Sequence, residues 1–405
     1  MVRPQYAVII GAGVVGISTA YALAKRGVAV TIVDSNAGPA MGASHANGAQ
    51  LSYRYTDALA SPAILKDLPR LALARDPAFR LHCRLDWQYA TWLGRFLFNC
   101  TTRKFEKHTL TGLKLAEKSR QAMAALLKKH DIEFGHETNG KLHLYRNEAA
   151  FERACRIANL KSEKQDDQQI LTSGAAVTVE PALLEVKNQI AGAIHTKSEK
   201  VGDPFLFCQE MFTLLQEEYG IKSYFGQTVQ RLVPGNSETM IELADGSILQ
   251  SDIAIICAAS NSRALLKPLG IALPVEPMKG YSFEMPLSNG SPKTSITDTS
   301  RRIVFTNLGD RMRVAGLADL GDRSTTVRDP RRNALVTLAK QSLPNAGRYE
   351  LAGKFWAGLR PMTPNSLPII SNPMPGLAIN TGHGMLGWTM AMGSGERLAE
   401  NFFPR

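Results

Sequence analysis

Arg360 stands in the stretch Gly358-Leu-Arg-Pro-Met-Thr-Pro364, directly before a proline. A planar guanidinium can grip a carboxylate through two parallel hydrogen bonds, and the proline restricts Arg360 to extended backbone that holds it in place. Tyr53 and Tyr281 each offer a phenol that can donate to such a carboxylate while the ring shapes a pocket. Near the other end of the chain, Gly11-Ala-Gly-Val-Val-Gly16 precedes Asp34 and Ser35. This spacing suits a pyrophosphate. Gly11 allows a tight turn, Gly13 lets the phosphates approach the backbone of Val14 and Val15, and Gly16 lets a helix pack closely on a strand. The phosphates would meet a helix N-terminus, whose free N–H groups and dipole favour negative charge. Asp34 lies where a carboxylate can hold a ribose diol, and its charge would repel a 2′-phosphate.

Such a glycine motif has weight only in the right setting. Tyr6–Ile10 reads as a strand, Val14–Lys25 as a helix, Gly27 as a turn and Val28–Val33 as a second strand. The uncharged run from Tyr6 to Ala24 is nearly long enough to cross a membrane. Its three glycines weaken a spanning helix, and the second apolar run ending in Asp34 completes a strand–helix–strand unit. A dinucleotide site is therefore expected here, not a signal peptide or a membrane span. The fingerprint alone does not separate NAD from FAD.

The rest of the chain helps to separate them. The small-residue loop Gly42–Gln50 can run along an extended ligand through Ser44, His45, Asn47, Gly48, Ala49 and Gln50. A second strand–glycine turn–helix unit follows Gly376–Asn380, through Gly382, His383, Gly384, Met385, Leu386, Gly387, Trp388 and Thr389. A helix N-terminus there would stabilise negative charge on a reduced flavin. An FAD spanning a domain needs two cofactor-holding ends of the chain; NAD seldom does. His383 is expected to contact cofactor or pocket without acid–base work, and His45 is a further flavin neighbour.

Composition bounds the alternatives. The chain has 405 residues, 44% hydrophobic and 20% charged, which fits a globular protein of two domains. The net charge of +11 is dispersed in pairs such as Lys128-Lys129, Arg301-Arg302 and Arg331-Arg332. No concentrated basic patch with interleaved aromatics suggests nucleic acid, though a diffuse positive field favours an anionic substrate or membrane surface. Five widely spaced cysteines suggest neither a disulfide framework nor a metal site, and Cys257 reads as a buried thiol. A reducing, cytoplasmic setting fits, with any membrane attachment peripheral, on the inner face.

Val8–Gly16, Asn47–Gln50, Gly140–Arg146, Pro277–Ser282, Gly358–Pro364, Asn380–Gly384 and Leu386–Thr389 follow one another along almost the full chain. In these stretches the sequence resembles the D-amino-acid oxidase superfamily of FAD proteins, and more narrowly the small-subunit family of bacterial D-amino-acid dehydrogenases. Asn47-Gly-Ala-Gln50 departs from the commoner Asn-Ala-Gly-Gln order. The chain also stops soon after the helix around Gly395, where relatives often carry a further tail. The resemblance implies a Rossmann-like α/β FAD-binding domain of the three-layer, glutathione-reductase-like kind. This domain would be interleaved with an α+β substrate domain whose sheet is mainly antiparallel. The cofactor domain is expected over 1–82, 196–270 and 345–405, and the substrate domain over 83–195 and 271–344.

The resemblance further implies non-covalent FAD, backbone contact with adenine at Val229, and a dinucleotide wall at Ala258 and Ala259. Arg360, with Gly358 beside it, would clamp the substrate carboxylate. Lys279 would face the flavin or an acidic group. The implied reaction is hydride transfer from Cα of a D-amino acid to flavin N5, then imine hydrolysis to a 2-oxo acid and ammonia. Electrons would pass to a quinone or dye. Open alternatives are an oxygen-using glycine/sarcosine-type oxidase, a D-hydroxyproline dehydrogenase, a flavin module without turnover in a larger complex, and a colourless NAD dehydrogenase.

Elsewhere, Arg103–His130 reads as a helix with an apolar stripe at Leu113, Ala116, Met123 and Leu127, and Lys161–Gln169 as a solvated segment. Helix is expected over Phe205–Glu218. Strands are expected over Ile221–Phe225, Gln227–Val233, Ile253–Cys257, Arg302–Asn307 and Arg311–Ala315.

Overall fold

The computed structural model describes residues 3–65, 71, 76–161 and 167–403. Its first layer is a six-stranded sheet ordered Ile369–Met374, Leu377–Thr381, Ile253–Ile256, Tyr6–Ile10, Ala29–Asp34 and Lys222–Phe225. All neighbours are parallel except the first pair. Strands such as Tyr6–Ile10 are continuous apolar runs because both faces of the sheet are covered. One face carries the helices Val14–Ala24, Pro204–Tyr219 and Gly387–Glu400. The other carries a three-stranded antiparallel sheet, Val229–Val233, Thr239–Leu243 and Ile248–Ser251.

The N-terminal and C-terminal units thus share one sheet, two strands apart. Their helices also touch closely: a Cβ on Gly395 would come within 2.6 Å of the Ser18 carbonyl oxygen. The run Tyr6–Ala24 is a strand and a helix, and among the described residues no helix is long and apolar enough to cross a membrane.

The second large sheet has nine strands, mainly antiparallel. Its order is Gly353–Met362, Glu276–Pro286, Arg311–Leu320, Ile303–Asn307, Ser295–Asp298, Lys141–Tyr145, Gly192–Thr196 and Gln168–Leu171, with Phe79–Leu81 added on Arg311–Leu320. Asp329–Ser342 packs on its back through Leu335, Leu338 and Ala339, against Tyr281, Phe283 and Met285. The sheet takes in 79–81 and 353–362, beyond the ranges expected for a substrate domain. Arg360 accordingly hangs from this sheet, although the chain that follows its strand belongs to the first.

Helix Thr102–Lys129 packs instead with the first core, through Ala116, Met123 and Leu126. Its buried line also includes Gly112, Leu115 and Ser119, while the expected Leu113 and Leu127 are half-buried. Gly112 and Ser119 let the helix approach Gly387–Glu400 closely, and such small-residue lines escape an apolar-periodicity reading. The expected solvated segment also differs. Lys161 is buried and donates to the Arg54 carbonyl and to Asp57, Gln168 begins a strand, and 162–166 lie outside the described residues.

Candidate active site

A cavity of about 790 Å³ opens between the two large sheets, at the carboxyl ends of Tyr6–Ile10 and Ala29–Asp34. Open α/β sheets place ligands in this position. Gly11 has φ +111, and a Cβ there would lie 2.6 Å from the Cys257 carbonyl oxygen, so the turn requires glycine. Gly16 closes the helix onto that turn from behind and does not line the cavity. Gly13, Val14 and Val15 do line it. The Val14 N–H donates to Ser44 Oγ at 3.1 Å; the first turn carries no acidic residue. Asp34 accepts from the Ala12 and Asn36 N–H groups, which fixes its carboxylate at the rim beside Ser35.

From the loop, Ser44 and Asn47 line the cavity. His45 lies outside the lining, edge-on to Phe205 at 4.8 Å. Gly48 and Gln50 instead tie the loop to the second sheet: Thr306 donates to the Gly48 carbonyl, and Gln50 donates to Ser295 Oγ. Ala49 is buried with φ +54, a left-handed conformation that costs a non-glycine residue about 1–2 kcal/mol. The inverted Asn-Gly-Ala-Gln order thus leaves alanine where the commoner order would place glycine.

The C-terminal turn contributes His383, Gly384, Met385, Gly387 and Trp388, whereas Gly382, Leu386 and Thr389 stand behind the surface. Thr389 accepts from the Ser52 N–H. Val229, Ala258 and Ala259 line the far wall. His383 is 3% exposed, and its Nε2 is buried without a partner. Burial pulls its pKa down to about 3, so the imidazole is neutral at physiological pH.

Arg360 pairs with Met278 across neighbouring strands, and its guanidinium lies over Gly280, the partner of Gly358 two residues along. A Cβ on Gly280 would strike the guanidinium, so glycine there makes its berth. Nη1 donates to the Leu317 carbonyl at 3.3 Å, an oxygen aimed by a bulge with Leu317 at φ +54. Among the described residues no carboxylate pairs with Arg360, and burial lowers its pKa to about 10. A charged, partly sunken guanidinium without a counterion is open to an anion.

Two expected pocket walls, Tyr281 and Tyr53, lie elsewhere, and Lys279 meets an acidic group, Asp322, one of its two expected neighbours. Along Glu276–Pro286, Gly280 and Ser282 face the cavity side, so Lys279 and Tyr281 point to the back. Tyr281 donates to Asp319, which Arg331 also grips, and burial followed by that carboxylate raises its pKa. Tyr53 is packed in the first core with its hydroxyl buried and unpartnered, and burial raises its pKa. Lys279 is 1% exposed and donates to Asp322, Ser324 and the Thr326 carbonyl. These bonds fix the loop that brings Thr325 and Val327 to the cavity. Lys279→Met leaves that loop untethered and Asp322 without its cation; urea unfolding should show a loss of about 3 kcal/mol.

Sequence reading missed Thr325 and Val327, for which no local signal exists, and Trp356, which period-2 alternation from Gly358 and Arg360 would have found.

The glycine turn, the open helix end and the orphaned His383 Nε2 fit a long dinucleotide carrying an aromatic ring. The chain matches the FAD dependent oxidoreductase family model over residues 7–401. It is 36% identical over 400 residues to a D-amino acid dehydrogenase of Methylobacterium radiotolerans, covering 98% of this chain and 95% of that protein. It is also 36% identical to one of Paramagnetospirillum magneticum, covering 97% and 94%. Among solved structures, glycine oxidase from Bacillus cereus has a TM-score of 0.75 at 23% identity, covering 98% of this chain and 95% of that one. L-proline dehydrogenase from P. horikoshii has a TM-score of 0.73 at 18% identity, covering 99% and 93%. Two domains of this kind around one cavity are the FAD fold, and the chain belongs to the FAD dependent oxidoreductase family.

Proposed function

We propose that this protein oxidises a D-amino acid to the imino acid, which water hydrolyses to a 2-oxo acid and ammonia, with electrons leaving to a quinone or dye. The relatives' shared name supplies the substrate class. The observation that carries the reading is the uncountered Arg360 guanidinium in the cavity wall. The residues around the Gly11 turn, Asp34 and Val229 would hold the FAD nucleotide, and His383 with Gly384 and Gly387 its ring end. When bound, FAD supplies the two-electron oxidant.

The chain's own work is then positional. Arg360 grips the substrate carboxylate and so fixes the orientation of Cα, while the Leu317 carbonyl and the Gly280 berth keep the guanidinium in place. Among the described lining residues Asp34 is the one acid, at the nucleotide end, and His383 the one imidazole, held neutral. Neither is suited to take a proton from an ammonium beside Arg360. The amine therefore reaches the site having lost its proton to water. On this reading kcat/KM rises with pH toward the ammonium pKa of each substrate, with no enzyme limb between about pH 5 and 8. A series of substrates with graded amine pKa values checks this: a limb that stays fixed across the series would assign the proton to the protein.

The function itself is tested by anaerobic bleaching of the flavin absorbance with a panel of amino acids in both enantiomers. Bleaching by D- and not L-amino acids supports the reading. No bleaching with any member points to a flavin module without turnover, and peroxide formed in air points to an oxidase. We place the protein in the cytoplasm, attached peripherally to the inner face of the membrane where a quinone would be met.

A further inference from the structure

Helix Trp87–Asn99 has two apolar faces. One, with Tyr89, Trp92 and Phe96, is buried against Met278 and Met362. The other stands in solvent: Trp87 is 84% exposed and Phe98 73%. They are three helical turns apart, pointing the same way with roughly 16 Å between them. Leu85, just before the helix, is fully exposed as well. Soluble surfaces seldom carry large apolar side chains in such a group.

The charge around them is mainly positive. Arg95, Arg103, Lys107 and Lys267 are exposed and make no ion pair among the described residues. The acids of the same stretch are Asp86, which caps the helix and pairs with Arg323, and Glu106. A cleft of about 300 Å³ opens on this face, with Trp87, Arg95 and Lys267 in its wall.

We infer that this face seats the protein on an anionic lipid bilayer, with the helix lying in the interface plane, Leu85, Trp87 and Phe98 inserted, and the cations on lipid phosphates. The protruding side chains favour a soft phase over a folded partner, which would need a matching pocket for each. Trp and Phe on one face flanked by Lys and Arg is the composition that partitions into headgroup regions. The inference rests on the peripheral attachment proposed above and names the surface responsible.

The test is co-sedimentation of the FAD-loaded protein with phosphatidylcholine vesicles, with and without about 30% phosphatidylglycerol. The protein should pellet with the anionic vesicles, less so at high salt. The double variant Trp87→Glu/Phe98→Glu should partition about tenfold or more weakly, with unchanged dye-linked turnover as proof of folding. Equal pelleting of both proteins would overturn the assignment of this face while leaving attachment in place. If neither pellets, attachment itself fails, and dye-linked turnover still reports separately on the redox reading. A wild-type dimer that the double variant abolishes, without vesicle binding, would make a second copy of the chain the occupant and overturn the proposal.

Discussion

Arg360→Met is expected to lower kcat/KM for a D-amino acid by about a thousandfold, because truncating one partner of a desolvated charge pair costs about 4 kcal/mol. Arg360→Lys keeps the charge but not the two-pronged fork, and should recover only part of the loss. The same Arg360→Met change should leave thermal stability unchanged or slightly higher. In the free protein the guanidinium is sunken, uncountered and held by one bond of 3.3 Å to Leu317, so the fold gains little from it. A residue that costs activity but not stability when removed is one kept for a ligand. A steady-state assay beside a melting curve decides the matter: if Arg360→Met melts many degrees lower, or turns over D-amino acids normally, the clamp assignment is wrong.

Gly13→Val is expected to fold normally yet weaken FAD binding by about a hundredfold or more, since a phosphate facing a branched side chain loses its backbone N–H bonds. Gly13 has φ −71 and ψ 175, a conformation that valine adopts readily. A Cβ there would meet just Ser44 Oγ, at 3.4 Å, and otherwise enters the cavity. Gly11→Ala serves as the contrast. At φ +111 and against the Cys257 carbonyl it should lose cofactor and stability together. Flavin absorbance after dialysis, read with circular dichroism, separates the two. A yellow, fully loaded Gly13→Val protein would remove the phosphates from this turn.

Some of this was legible in the residues alone because it is local. The Gly11–Gly16 spacing, the β-branched runs on either side and Asp34 define a strand, turn and helix within one short segment. The second such unit, at His383, could be read for the same reason, and so could the helix expected over Phe205–Glu218, which spans Pro204–Tyr219. The pairing of the two glycine-punctuated ends in one sheet, and of Arg360 with a strand of the other, depends on long-range registers that no local pattern encodes.

Lys279 and Tyr281 show the limit most clearly. In a strand, successive side chains point to opposite faces, so whether Gly280 or its neighbours meet the cavity is a one-residue matter of register. Residue types favoured Tyr281 and Tyr53 as pocket walls and offered Lys279 the flavin or an acidic group. Packing turned both tyrosines away, giving Tyr281 to Asp319 and Tyr53 to the core beneath the first sheet, and chose the acid for Lys279, which ties Asp322 and the loop that carries Thr325 and Val327. The sequence by itself determined where a nucleotide could be held, because the backbone needed for that is built from neighbours. Tertiary structure decided which side chains share the cavity, because burial and strand pairing are settled by contacts between residues hundreds of positions apart.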